Sequence, residues 1–467
     1  MNNLRSGDIL QNINIEEALS EGKSLARHEG FVLFVEGAVP GDVADVEIRY
    51  KKKRFAEART KNIVRPSQDR VTPFCGHFGV CGGCKWQHFS YEGQLAFKQK
   101  QVTDAFERIG KVSVGETLPI LPSPHIRYYR NRLDFTFSSK RWLTAEEISL
   151  GNEAPPALGF HIPQRFDKVL DIDTCYLQDD LSNAIRNEVR RFALIRQYSF
   201  FDLREQHGLL RGLIIRNTSI GEWMTIFIFH TRDEDRISEL LDHVSATFPQ
   251  LHSILYTINP KRNDTISDLV IEKWKGRDHI FEEMEGLKFK ISAKSFYQTN
   301  SAQAYGLYKI AREFAGLKGH EHVYDLYTGT GTIANFVARS CSHVTGIDYV
   351  ADAIEDAKTN AKNNGISNTT FFAGDIKETF TSAFISAHGD PDVVITDPPR
   401  AGMHEDVVSA IDAASPEKIV YISCNPSTQA RDIALLGNYR VEKMQPVDMF
   451  PHTSHVENVA LLRRINS

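Results

Sequence analysis

The stretch that most limits what this chain can fold into is His322-Val-Tyr-Asp325-Leu-Tyr327-Thr-Gly329-Thr-Gly331-Thr. It reads as an apolar strand feeding a glycine-rich turn at a helix start. There the backbone can approach a ligand closely, and the first helical N–H groups are free to donate. From about residue 300 onward the pattern is strand, turn, helix, strand, helix, the rhythm of a doubly wound, mostly parallel α/β sheet. The next strand, His343-Val-Thr-Gly-Ile347, ends in Asp348, about 20 residues past the glycines, where a carboxylate can accept both hydroxyls of a ribose. A helix from Ala353 to Asn363 then runs to Gly365 as its cap. Asp375, after Phe371-Phe-Ala-Gly, is placed to reach an adenine amine.

Gly329-Thr-Gly331-Thr-Ile-Ala334 also fits the loose dinucleotide fingerprint, so a nicotinamide or flavin enzyme is a rival. Two features favour S-adenosylmethionine. Asp325 stands in the strand before the turn, where it can meet a sulfonium or an amino group. The strand Val393-Val-Ile-Thr ends in Asp397-Pro-Pro-Arg400, a pattern typical of methyltransferases acting on planar bases.

At 467 residues the chain calls for two or three domains. Residues 1–64 read as a small OB-like β-barrel, with alternating stretches Gly30–Val35 and Val43–Tyr50 flanking the turn Val39-Pro-Gly-Asp42. Residues 65–292 read as a strand-rich central α+β domain. A helix is expected from Gln94 to Ile109, a strand over Tyr129–Phe137, and a hairpin of Leu213–Asn217 with Glu222–His230. Residues 293–467 form the α/β domain. No apolar run approaches the ~20 residues of a membrane helix, and the opening residues lack a secretory apolar core. The expectation is a cytoplasmic, monomeric protein that does not engage a membrane. The net charge of -5 argues against nucleic acid as a partner, but its distribution does not. Between Arg49 and Arg65 lie Lys51, Lys52, Lys53, Arg54, Arg59 and Lys61, opposed by Glu57 alone. Such a segment can track phosphates, or simply protect a strand edge.

Six cysteines in this length do not make a disulfide scaffold. One of them, in Ile419-Val-Tyr-Ile-Ser-Cys424-Asn-Pro-Ser-Thr428, ends a β-rich run and so falls on the ligand-binding edge of the sheet. A lone cysteine after an apolar strand is often a buried small hydrophobe, but Cys424 has polar neighbours and follows Asp397-Pro-Pro-Arg400. Near the end of the chain comes Val447-Asp-Met-Phe-Pro-His-Thr-Ser-His-Val-Glu457. Taken alone, a glutamate there can equally face solvent.

Together these segments resemble the RNA uracil-C5 methyltransferase family. Asp397-Pro-Pro-Arg-Ala-Gly402, sixteen residues, and then Ile419–Thr428 match one family pattern, and Val447–Glu457 matches a second. The likeness spans nearly the whole chain. It takes in a leading RNA-binding barrel called TRAM, the cysteine cluster, Tyr129-Arg-Asn-Arg-Leu-Asp-Phe135, and Lys294-Ser-Phe-Tyr-Gln298-Thr-Asn300. The resemblance implies that Cys424 adds to carbon 6 of a uracil and that Glu457 removes the carbon 5 proton. It implies cofactor and uracil contacts for Gln298 and Asp397, and cofactor contacts for Asp325, Tyr327, Gly329, Gly331, Asp348 and Asp375. A flipped base is also implied, with Tyr128, Tyr129, Arg130 and Arg132 available to contact splayed RNA.

Cys75, Cys81 and Cys84, with Cys175 in Val169-Leu-Asp-Ile-Asp-Thr-Cys175, make four potential thiolate ligands. Their spacing does not decide between zinc and an iron–sulfur cluster. The resemblance implies [4Fe–4S] rather than zinc, in a structural role, while Cys341 is left as a surface or core thiol. A cytosine-C5 methyltransferase, an amino-methyltransferase, an RNA chaperone and a nicotinamide oxidoreductase are the rivals. None of these explains Asp397-Pro-Pro-Arg400, Cys424 and Glu457 together. The barrel and the cysteines point to 23S ribosomal RNA ahead of transfer RNA as substrate.

Overall fold

The computed structural model describes residues 4–151, 153–163 and 165–465. The chain divides into two compact units, Met1–Gln101 with Phe450–His455, and Val102–Met449 with Val456–Ser467.

In the first unit, β1 (Ile9–Ala18), β2 (Lys23–His28), β3 (Phe31–Glu36), β4 (Val43–Lys51) and β5 (Phe55–Arg65) close a barrel in the order β1-β2-β3-β5-β4. Period-2 alternation fills it: Leu33 and Val35 from β3, Ala44, Val46 and Ile48 from β4, and Ala56 from β5 are fully buried. The expected turn is fixed by Asp42, whose carboxylate accepts from the Val39 and Ser67 N–H groups and pairs with Arg70 at 2.7 Å. Burial alone would raise that carboxyl, but Arg70 and the two amides hold it below its ordinary value. The segment Phe450–His455 is stitched into this unit. The His452 carbonyl accepts from Lys85 and Trp86 N–H, the His452 N–H donates to Gln94 Oε1 at 2.8 Å, and Lys98 Nζ donates to the Phe450 carbonyl at 3.0 Å.

The expected helix 94–109 is found as Tyr91–Asp104 followed by a π-helical turn, Ala105–Gly110, that ends at Lys111 in the left-handed region. Apolar spacing alone does not reveal such a widening of the last turns.

Within the second unit, β6 (Val114–Thr117) is a short strand set apart from the sheet that follows it in the chain. A seven-stranded sheet is built from β7 (Arg132–Ser138), β8 (Ala157–Ile162), β9 (Arg165–Asp171), β10 (Leu210–Asn217), β11 (Trp223–Phe229), β12 (Ser253–Ile258) and β13 (Glu272–Gly276), ordered β13-β12-β11-β10-β7-β8-β9. Helices Asp180–Ile195 and Glu234–Thr247 bury Ile185, Val189, Leu240 and Val244 in its core. The β10–β11 hairpin is the expected one. The strand expected from Tyr129 starts only at Arg132, because the Arg130 and Asn131 N–H groups donate to the Leu177 and Thr299 carbonyls and not to a neighbouring strand. The hairpin of β14 (His279–Met284) and β15 (Leu287–Ser292) follows.

The last sheet contains β16 (His322–Leu326), β17 (His343–Asp348), β18 (Thr369–Ala373), β19 (Val393–Thr396), β20 (Lys418–Ser423), β21 (Tyr439–Val447) and β22 (Glu457–Arg464), in the order β18-β17-β16-β19-β20-β22-β21-β6. β18 to β20 are mutually parallel, whereas β22 runs antiparallel between β20 and β21. A dinucleotide-binding sheet has the order 3-2-1-4-5-6. The reversed β22 departs from that order and argues against the nicotinamide rival. β6, from the segment read as central domain, joins this sheet as its edge beside β21. Among the described residues no helix is long and apolar enough to cross a membrane.

Candidate active site

Ligands of open α/β sheets sit beyond the carboxyl ends of the strands, at the point where strand order reverses. Here that point lies between β16 and β19. Asp325 comes from the end of β16, Asp348 from the end of β17, and Asp397 follows β19 directly. Cys424 follows β20, and because β22 is reversed, its first residue, Glu457, lies at the same edge. Ser423 pairs with Asn458, so continuing that register by one residue sets Cys424 level with Glu457.

Asp325 is fully buried. Its Oδ2 accepts from Thr328 Oγ1 at 2.5 Å and from the Ala334 N–H at 3.0 Å, while Oδ1 has no hydrogen-bond partner among the described residues. Burial, with Asp397 and Asp348 adding to it against Thr328, pushes its carboxyl up to about 7. Gly331 holds φ 71, and a Cβ there would stand 2.8 Å from the Ala357 Cβ, so the turn accepts only glycine. At Gly329 a Cβ would meet nothing within 4 Å, leaving open space over the turn. Asp348 Oδ2 accepts from the Gly329 N–H at 2.9 Å, and Oδ1 accepts from the Val350 N–H at 2.8 Å. A carboxylate has further lone pairs for hydroxyl donors. Asp375 is exposed and caps a short helix by accepting from the Lys377 N–H. Tyr327 takes φ 64 and packs against the core of the sheet, where burial, followed by Asp432, Asp375 and Asp348, moves its phenol up to about 12.

Burial raises Asp397 to about 7. Burial and then Asp397 raise Glu457 to about 8, with Arg400 opposing. Glu457 is 5% exposed, so it does not face solvent. The Cys424 thiol is pushed up to about 11 by burial, Glu457 and Asp397, against Arg400, which hydrogen-bonds the sulfur. Tyr308, on helix Ser301–Ala315, is buried and hydrogen-bonds Gln298. Its phenol is raised well above 10 by burial and by Asp397, Asp325 and Glu457. Asp325, Asp397, Glu457, Cys424, Gln298 and Tyr308 are thus near enough at the strand edge to act on one another. Sequence reasoning missed Tyr308, because its spacing with Ala304, Leu307 and Ala311 reads as an ordinary core face. It also gave Arg400 no part in the chemistry.

The four-cysteine site is not reproduced. A cluster requires converging thiolates. Among the described residues no group of three or more His, Cys, Asp or Glu side chains is disposed to hold a metal ion. Cys75, Cys81 and Cys84 belong to the first unit and Cys175 to the second, and all four are half-buried. Cys341 is a core thiol. Of the expected RNA-contacting residues, Tyr129 is buried and Arg132 is tied to Asp134 at 2.8 Å, while Tyr128 is exposed.

Residues 267–465 match the family model described as tRNA (uracil-5-)-methyltransferase, and residues 10–61 match the TRAM domain. An uncharacterised RNA methyltransferase of Bacteroides thetaiotaomicron is 57% identical over 95% of this chain and 99% of its own length. The chain belongs to the RNA uracil-C5 methyltransferase family. A further RNA methyltransferase relative, from Chlorobaculum tepidum, is 39% identical to this methyltransferase over 98% of this chain and 97% of its own. The solved Pyrococcus abyssi tRNA (uracil-54, C5)-methyltransferase, in complex with S-adenosyl-L-homocysteine, superposes with a TM-score of 0.75 at 28% identity. That match covers 97% of this chain and 100% of the other. The methyl donor of the family is S-adenosylmethionine, and the site of this methyltransferase fits it. The orphaned Asp325 Oδ1, the open glycine turn and three carboxyls raised toward neutrality are what a cationic adenosyl compound would meet.

Proposed function

We propose that this methyltransferase forms 5-methyluridine in RNA through a covalent Cys424 adduct, with Glu457 as the base. The observation that carries this reading is the register of β20 and β22, which sets a thiol and a buried carboxyl level at the cofactor edge. Carbon 5 of uracil is too weak a nucleophile for direct methylation. Addition of the Cys424 sulfur to carbon 6 makes it enolate-like, and the ring electrons then become available at carbon 5. S-adenosylmethionine supplies an electrophilic methyl group on a sulfonium. After carbon 5 is methylated, Glu457 takes its proton, the C6–S bond breaks, and the thiolate leaves. Arg400 donates to the Cys424 sulfur and favours its anion. In this reading Asp325, Tyr327, Gly329, Gly331, Asp348 and Asp375 line the cofactor side, while Gln298 and Asp397 hold the reacting groups.

The substrate assigned is a uridine of 23S ribosomal RNA. RNA binding by the barrel is supported by its cationic tip, where Lys51 lies 5.6 Å from the Phe31 ring centre and Lys52 lies 5.5 Å from that of Phe55. A second reading, uridine 54 of transfer RNA, is favoured by the substrate of the Pyrococcus abyssi neighbour. Incubation with the methyl donor and each unmodified RNA, followed by nucleoside mass spectrometry, tests both. 5-Methyluridine in 23S RNA alone upholds the first reading, in transfer RNA alone the second, and in neither it removes both. The [4Fe–4S] assignment of Cys75, Cys81, Cys84 and Cys175 is a separate proposal that rests on the sequence resemblance. Four irons and four sulfides per chain in anaerobically purified protein would support it, and one zinc or no metal would refute it.

A further inference from the structure

Gln298 lies on an irregular stretch, residues 293–300, between β15 and helix Ser301–Ala315. A loop beside a reaction centre is ordinarily the mobile part of a site. Here its backbone is held from the seven-stranded sheet at both ends. Asn131, immediately before β7, is 7% exposed. Its Nδ2 donates to the Gln298 carbonyl at 2.9 Å and to Ser301 Oγ at 2.8 Å, and its N–H donates to the Thr299 carbonyl at 2.9 Å. The Asn131 carbonyl is in turn fixed by the Asn217 N–H at 2.9 Å.

Arg216, one residue earlier on β10, is the second anchor and the less expected one. It is 2% exposed and, among the described residues, forms no ion pair. Its cross-strand partner is another arginine, Arg132, already occupied by Asp134. A buried guanidinium without a carboxylate is costly and is seldom kept for stability alone. Both of its Nη atoms donate to the loop, to the Ser292 carbonyl at 2.9 Å and the Ser295 carbonyl at 3.0 Å. Ser295 Oγ adds a hydrogen bond to Asp356 at 2.7 Å, and Asn300 Nδ2 donates to the Met449 carbonyl at 2.9 Å. The loop around Gln298 is thus tied by its backbone to Asn131 and Arg216 and by the Ser295 and Asn300 side chains to helix Ala351–Asn363 and to the segment after β21.

We propose that Asn131 and Arg216 are positioning residues that hold Gln298 against Tyr308 and the acid pocket, making the seven-stranded sheet a working part of the methyl-transfer site. The proposal rests on the reading that Gln298 serves that site. A double-mutant cycle on the full-length protein tests it, with kcat/KM for S-adenosylmethionine and RNA, and the thermal midpoint, as readouts. Gln298→Ala and Asn131→Ala should each lower kcat/KM by about tenfold or more, and the double variant should fall no lower than Gln298→Ala. Effects that multiply, or a wild-type rate for Asn131→Ala beside an impaired Gln298→Ala, would overturn the positioning role. A wild-type rate for Gln298→Ala would remove the underlying reading and the proposal with it, which separates the two failures. Arg216→Lys, which keeps the charge but cannot reach both carbonyls, provides the same cycle should Asn131→Ala fail to fold.

Discussion

Burial and then the neighbouring Asp397 push the Glu457 carboxyl toward its protonated form: the two acids, one following β19 and the other opening β22, lie where water is too scarce for both to ionise freely. With Asp325 raised as well, the free protein holds its acids near the middle of the physiological pH range.

The first consequence concerns rate against pH. Glu457 stands at about 8, so at pH 6 it is protonated and cannot accept the carbon 5 proton. Its raised value means that the competent, ionised form is gained as pH rises. Single-turnover release of 5-methyluridine RNA from the covalent adduct should increase about tenfold per pH unit below that value. A rate independent of pH between 6 and 8 would contradict the assignment of Glu457 as base.

The second concerns ligand charge. A sulfonium favours the ionised carboxyls, so its binding should expel protons, whereas S-adenosylhomocysteine, which lacks that charge, should expel fewer. The affinity ratio of the two ligands should grow in favour of S-adenosylmethionine from pH 6 to pH 9. Titration calorimetry in buffers of different ionisation enthalpy measures the proton count. Asp325→Asn should weaken S-adenosylmethionine by about 10- to 100-fold, the loss expected for a hydrogen bond to a charged group, with the KM for RNA unchanged.

The third separates the roles proposed for Cys424 and Glu457. Cys424→Ala should abolish methylation, because no sulfur remains to activate carbon 5. Glu457→Gln should instead accumulate an RNA–protein adduct that survives denaturing gels, because the ring keeps its proton and the thiolate cannot leave. Full activity in Cys424→Ala would sink the covalent mechanism.

The fourth concerns the turn after Asp397-Pro-Pro-Arg400. Gly402 holds φ 80, and a Cβ there would lie 2.5 Å from Asp432 Oδ2, which already accepts from the Met403 N–H at 2.8 Å and from the Tyr421 hydroxyl at 2.7 Å. Gly402→Ala should cost about 1–3 kcal/mol of stability and displace Arg400 from Cys424. Chemical denaturation and kcat report the two effects, and an alanine variant as stable as the parent would count against the strain.

The barrel, the parallel core and the glycine turn were legible because each rests on local periodicity and turn chemistry. Cys424 and Glu457 were legible only as motifs. Their partnership depends on β22 entering between β20 and β21 in reverse, which no local pattern encodes. β6 was invisible for a related reason: Val-Gly-Glu-Thr is too short and too polar to announce a strand, and forms one because β21 offers it an edge. Asn131 was seen within a recurring motif but given no role, since a hydrogen bond to a carbonyl 167 positions away leaves no mark in sequence.

The barrel-bearing unit is completed by residues 450–455, stitched to Lys85, Trp86, Gln94 and Lys98. Nascent chains ordinarily fold their leading domain first, while the rest is still being made. Here the barrel-bearing unit stays unfinished until residues 450–455, more than 340 positions further along, have been made. Chains that stop short of residue 450 therefore lack the strap that holds Lys85, Trp86, Gln94 and Lys98, so one interruption leaves both units incomplete.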